Sequence, residues 1–245
     1  MSLGSDMSLL MSEYGDNDLA PLEQALDFRK FRLAMSRNAP NQQLYFIDAC
    51  RSSSDRLIDS LQYAGRLPVQ NGPQASAETP IYFATLAGEE AFGKKNEVSF
   101  FTNAILMGLN GMGSDDPAGE WLVTTTRLKE AIDYEVKRAF GGAKPKQVPP
   151  TDTLTTFEIH RLRNDPEVPV IVTCAPASEN ARAEFICERN GVEQSRRPPA
   201  NETWSITLSA GSYDFRAQFS GGIVRQPKSN SINIRPIYRK VIIDI

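Results

Sequence analysis

Gln43-Leu44-Tyr45-Phe46-Ile47-Asp48-Ala49-Cys50-Arg51-Ser52-Ser53-Ser54 is the stretch whose reading decides what the rest of the chain should be. Leu44 to Asp48 is a short β-branched and aromatic run, which predicts a strand buried on both faces. A strand of that kind needs helices over it, as in a parallel α/β sheet. The run breaks off at Asp48-Ala49-Cys50 and gives way to small polar residues. In open α/β sheets the reacting groups gather at the C-terminal ends of strands. A cysteine there, beside an acid and an arginine, is placed to act as a nucleophile. The plainer reading is an inert core thiol, because free cysteine is among the most buried residue types.

Working outward, Ser52 to Ser54 and Asp55 are good caps for a helix carrying Leu57, Ile58 and Leu61, which Gly65 stops. A helix N-terminus next to Cys50 would favour the thiolate. Upstream, Pro21 and Asp27 sit where helices tend to open, and Phe28, Phe31 and Met35 share one helical face. Downstream, Pro80 to Leu86 reads as a second buried strand. Ser99 caps a helix with Phe101, Ile105 and Leu109 aligned, ended by Gly111-Met112-Gly113. Trp121-Leu122-Val123 is strand-like, and Thr125 or Thr126 opens a helix with Leu128, Ala131, Ile132 and Val136 on one side. Strands alternating with such helices predict βα units and a parallel-leaning sheet.

The words around the cysteine carry a resemblance. Asp48-Ala49-Cys50-Arg51-Ser52 resembles the active-site signature of caspase-like cysteine peptidases, a relative of the Gln-Ala-Cys pattern of caspases. With its Phe46-Ile47 lead-in it is most similar to the bacterial orthocaspase and metacaspase side of that clan. The resemblance continues at Ile81-Tyr82-Phe83-Ala84-Thr85-Leu86-Ala87-Gly88-Glu89-Glu90-Ala91-Phe92 and at Ser99-Phe100-Phe101-Thr102, and covers roughly residues 10 to 140. It implies Cys50 as nucleophile, with its backbone N–H as an oxyanion donor. It implies Asp48 as the acid in the pocket for the residue before the cut, selecting Arg or Lys by charge-assisted pairing. Beside this stands the reading of Asp48 as a strand-end acid satisfied by backbone N–H groups. The expected fold is an α/β caspase-like domain over residues 7–140, incomplete at its N-terminus.

Residues 141–164 read as a linker, opened by Gly141-Gly142-Ala143-Lys144-Pro145. From residue 165 to 245 the pattern changes to short strands only, with a hairpin signal at Asn190-Gly191. That predicts a small all-β sandwich, Ig-like or similar to carboxypeptidase-regulatory domains, an architecture that hosts too many roles to name one.

The net charge of −3, with mixed signs, gives no reason to expect a nucleic-acid partner or an anionic membrane. No apolar run approaches the ~20 residues of a membrane span, and no basic-then-apolar leader is visible. Three cysteines are too few for a disulfide framework in 245 residues, so a reducing cytoplasm is expected. Cys174 and Cys187 read as core residues. No zinc-spaced His/Cys cluster, phosphate-binding glycine fingerprint or Gly-x-Ser-x-Gly elbow is present. No cofactor is expected. Calcium activation is common among the metacaspase relatives, but no acidic loop identifies a site.

The proton acceptor is missing. Caspase-type enzymes carry their histidine roughly 50 residues before the cysteine. None of the 49 residues before Cys50 is His, and the sole histidine, His160, lies in the strand-like Phe157-Glu158-Ile159-His160-Arg161-Leu162 and reads as structural. Three explanations follow: a truncated chain, a processing product that assembles with a separate histidine-bearing N-terminal piece, or a pseudoenzyme. The expected partner is a protein or peptide substrate. The competing class is a non-catalytic scaffold whose β-sandwich binds a partner.

Overall fold

The computed structural model describes residues 7–10, 25–38, 41–50, 79–86, 90–93, 96–140, 149–229 and 231–245. The helix expected over Ser52–Gly65, residues 66–78 of the loop that follows it and residues 141–148 of the linker lie outside the described residues. The chain divides into two compact units, residues 1–103 with 135–155 and residues 104–134 with 156–245.

In the first unit, β1 (Ser8–Leu10) pairs antiparallel with β2 (Ala25–Asp27). β2 runs directly into α1 (Phe28–Asn38), where Asp27 caps the helix by accepting the Lys30 N–H at 2.9 Å. β3 (Tyr45–Ile47) lies parallel to β4 (Ile81–Phe83), and β4 takes the antiparallel β7 (Thr151–Asp152) on its other side. The core here is small. Phe28, Ile47, Ile81 and Phe83 are buried together, with Tyr45 edge-on to Phe28 at a centroid distance of 5.5 Å.

In the second unit, β5 (Ser114–Asp115), β6 (Leu122–Thr124) and β8 (Glu158–Arg161) make an antiparallel sheet. Two helices connect these sheets. α2 (Phe100–Met107) passes into a π-turn over Gly108–Met112, in which Gly111 has φ 129°. α3 (Thr125–Ala139) buries the expected row Leu128, Ala131, Ile132 and Val136. Its cap is one residue earlier than the sequence suggests: Thr124 Oγ1 accepts the Arg127 N–H at 3.3 Å. The Thr125 hydroxyl instead accepts the Phe157 N–H at 3.2 Å.

The described residues from 165 onward are strands and turns, with one short 3-10 helix at Ala177–Ala181. β9 (Glu167–Ala175) is the centre of one sheet, between antiparallel β12 (Trp204–Ser209) and parallel β16 (Arg239–Asp244). The other sheet runs β11 (Val192–Arg197), β10 (Glu184–Arg189), β13 (Gly211–Gln218) and β14 (Val224–Arg225), with β15 (Ile232–Ile234) also on β13. Period-two alternation builds the core between them: Val168, Val170, Val172 and Cys174 from β9 meet Phe185, Cys187, Tyr213 and Phe215. Asn190 and Gly191 join β10 to β11 with φ of 54° and 75°, the left-handed pair that a two-residue hairpin turn requires.

The expectation of a mostly parallel, helix-covered α/β caspase-like sheet is corrected by this topology. The described residues are dominated by strands in antiparallel and mixed sheets, with parallel pairing confined to β3–β4 and β9–β16. The physical reason lies in β3. It is three residues long, and Phe46 at its centre is 36% exposed, so the strand is not covered on both faces. β7, which makes the β3–β4 sheet mixed, and β5, which joins the antiparallel β6–β8 pair, are two-residue polar strands that leave no periodic mark in the sequence. Residues 149–164, read as linker, supply β7 and β8.

Candidate functional site

Cys50 and Asp48 leave the C-terminal end of β3, and both are exposed. The register is held one step past the strand by the Ala84 N–H, which donates to the Ile47 carbonyl at 2.9 Å. Asp48 is clamped by the start of α2. The hydroxyls of Ser99 and Thr102 both donate to its Oδ2, each at 2.5 Å. Ser99 Oγ also accepts the Thr102 N–H at 2.9 Å, so one hydroxyl caps the helix and holds the acid at once. The clamp leaves the acid bound by side-chain hydroxyls, where the sequence reading set backbone N–H groups against a basic substrate residue.

Ser99 is itself placed by backbone. It bridges Gly93 in antiparallel register, and the Phe100 N–H donates to the Phe92 carbonyl at 3.0 Å. The same segment reaches the thiol: the Ala91 N–H points at Cys50 Sγ across 3.4 Å. The first unit therefore gathers Asp48, Cys50, Ala91, Ser99 and Thr102 around one strand end. Chemically this is an exposed thiol beside a carboxyl group fixed by two hydroxyls. Of these, Ser99 and Thr102 were legible only as a helix start. Their spacing of three, which puts both hydroxyls on one side of the first turn, is the signal that pairs them with a common acceptor.

His160 has a structural place of its own within the second unit. It sits on β8 in the second unit, with Nε2 2.9 Å from the Leu109 carbonyl and Nδ1 3.3 Å from the Arg161 carbonyl. A neutral imidazole donates from one nitrogen only, and both here face acceptors. The ring ties the π-turn to the β6–β8 sheet.

The other two thiols are core groups. Burial pushes the Cys187 thiol up to about 12, with Asp214 and Glu188 adding to the shift, and burial likewise raises that of Cys174. Both are free, so no disulfide joins them. Among the described residues no cluster of three or more His, Cys, Asp or Glu is arranged to hold a metal. An open polar cleft near Trp121 is self-satisfied: Trp121 donates to Asp165 at 3.0 Å, and Arg161 is paired with Glu120 and Glu158. Among the described residues no helix is long and apolar enough to cross a membrane. Arg51 lies outside the described residues.

No family model matches the chain. It is similar to an uncharacterized protein, y4kE, of Sinorhizobium fredii (strain NBRC 101917 / NGR234), at 25% identity over 208 residues. The match covers 82% of this chain, which spans about 60% of the length of that relative.

Proposed function

We propose that the protein is a cysteine endopeptidase, with Cys50 as the nucleophile and Asp48 as the acid that selects Arg or Lys before the scissile bond. The observation that supports this most is the exposed Cys50 thiol two residues beyond a carboxylate fixed by Ser99 and Thr102. The resemblance of Asp48-Ala49-Cys50-Arg51-Ser52 to the caspase-like signature points the same way, at the level of the motif rather than of the fold.

In this reading the Cys50 thiolate attacks the scissile carbonyl, and the carbonyl oxygen takes up the negative charge of a tetrahedral intermediate. Collapse breaks the C–N bond. The amine leaves with a proton from a histidine, and water then cleaves the thioester. His160 is engaged by two carbonyls, so the histidine of this step belongs to a polypeptide segment other than this chain. The chain alone then has little or no turnover. Its substrates are proteins or peptides, and its setting is the reducing cytoplasm in which an exposed thiol persists.

The test is labelling by an irreversible peptide probe with Arg before its warhead, read by intact mass, with Cys50→Ala as control. A single adduct that vanishes in the control fits the endopeptidase. The structural use of His160 favours a second reading, a non-catalytic scaffold whose β-rich C-terminal region binds a partner. Labelling of Cys50 no faster than by the same warhead without its arginine is the result that reading requires.

A further inference from the structure

We infer that Ser99 and Thr102 are positioning residues that make Asp48 discriminate a guanidinium from a neutral side chain of the same shape. The inference rests on the endopeptidase reading above. An exposed carboxylate gains little from an ion pair, because solvent screens it and its side chain must be immobilised. Asp48 is exposed, so by itself it is a poor reader of charge.

The two hydroxyls change this. Both donate to the same oxygen, Oδ2, one from the N-cap residue Ser99 and one from Thr102 in the first turn of α2. The torsion of the carboxylate is thereby set before a substrate arrives, and the entropy of fixing it is not charged to binding. Two of the carboxylate's four lone-pair sites are used, which leaves acceptor capacity for a forked guanidinium. Ser99 is in turn held by its own N-cap bond with the Thr102 N–H and by its bridge to Gly93. The charge-reading group is therefore built on the helix start and not on a free loop.

The experiment compares second-order rates of Cys50 labelling by two probes that differ only in ending in arginine or in citrulline, its uncharged isostere. In the wild-type chain the arginine probe is faster by about tenfold, the effect of one charge-assisted contact. Thr102→Val removes one hydroxyl without touching the cap, and lowers that ratio by about threefold or more. Thr102→Ser keeps the hydroxyl and keeps the ratio. Ser99→Ala lowers it too, and circular dichroism checks that α2 survives loss of its cap. An undiminished ratio in both Thr102→Val and Ser99→Ala overturns the positioning role. No adduct on wild-type Cys50 overturns the endopeptidase reading and this inference with it.

Discussion

Gly93 and Ser99 approach so closely across their bridge that a Cβ added to Gly93 would stand 3.1 Å from the Cα of Ser99. The contact is with backbone, which cannot swing aside as a long side chain would. Gly93→Ala is therefore expected to displace the helix start that holds Asp48. It should cost about 1 kcal/mol in urea unfolding, and the arginine-to-citrulline labelling ratio should fall with it. Unchanged values of both would mean that the bridge does not set the clamp.

The three thiols should separate cleanly by reactivity. Cys50 is exposed, whereas Cys174 and Cys187 are buried with thiols shifted upward by burial. Alkylation at pH 8 is expected to modify one thiol in the folded chain, at Cys50, and all three in denaturant. Fast modification of a second thiol in the native state would contradict the core packing of β9 against β10.

The same shift predicts how stability depends on alkaline pH. The folded state binds the Cys187 proton more tightly than the unfolded chain does, since its thiol is raised from 9.0 to about 12. The stabilisation is therefore complete below pH 9 and is lost as pH rises toward about 12. Cys174 acts in the same direction, and so do Tyr45 and Tyr213, both raised first by burial. Unfolding free energy measured from pH 8 to pH 11 should decline, and Cys187→Ala should make the decline shallower. An identical slope in the variant would remove Cys187 as its source.

Asn180 marks the polar weak point of the β-rich region. It is 1% exposed, its Oδ1 accepts the Cys174 N–H at 2.8 Å, and its Nδ2 donates to the Thr173 hydroxyl at 3.1 Å. Asn180→Ala leaves a buried backbone N–H unsatisfied and is expected to destabilise by about 1–3 kcal/mol. Equilibrium denaturation checks this, and a cost under about 0.5 kcal/mol, the range of ordinary surface substitutions, would mean another group replaces the bond.

How much of this was legible depended on whether a segment advertised itself through periodic apolar residues or special turn chemistry. α3 announced itself through Leu128, Ala131, Ile132 and Val136, and the β10–β11 turn through Asn190-Gly191. β11 itself, Val192-Glu193-Gln194-Ser195-Arg196-Arg197, is a polar edge strand paired on one side, so only its turn could be read. The parallel α/β sheet was inferred from the runs Leu44 to Asp48 and Pro80 to Leu86 and the helices alternating with them, and short apolar runs cannot fix the direction of their other neighbours. Strand direction is decided by partners, and Thr151-Asp152, antiparallel to β4, carries no signal of its role. At the candidate site, Cys50 and Asp48 were singled out by their neighbours in sequence. Ser99 and Thr102 join Asp48 across separations of 51 and 54 residues, a relation that only the folded chain reveals.

The most direct measurement is intact-mass analysis of the chain after exposure to the arginine-ended irreversible probe, with Cys50→Ala in parallel. The account predicts one adduct per chain, mapped to Cys50, absent from the variant, with no turnover of an arginine-ended peptide by the chain alone. No adduct, or one that persists in Cys50→Ala, would contradict it.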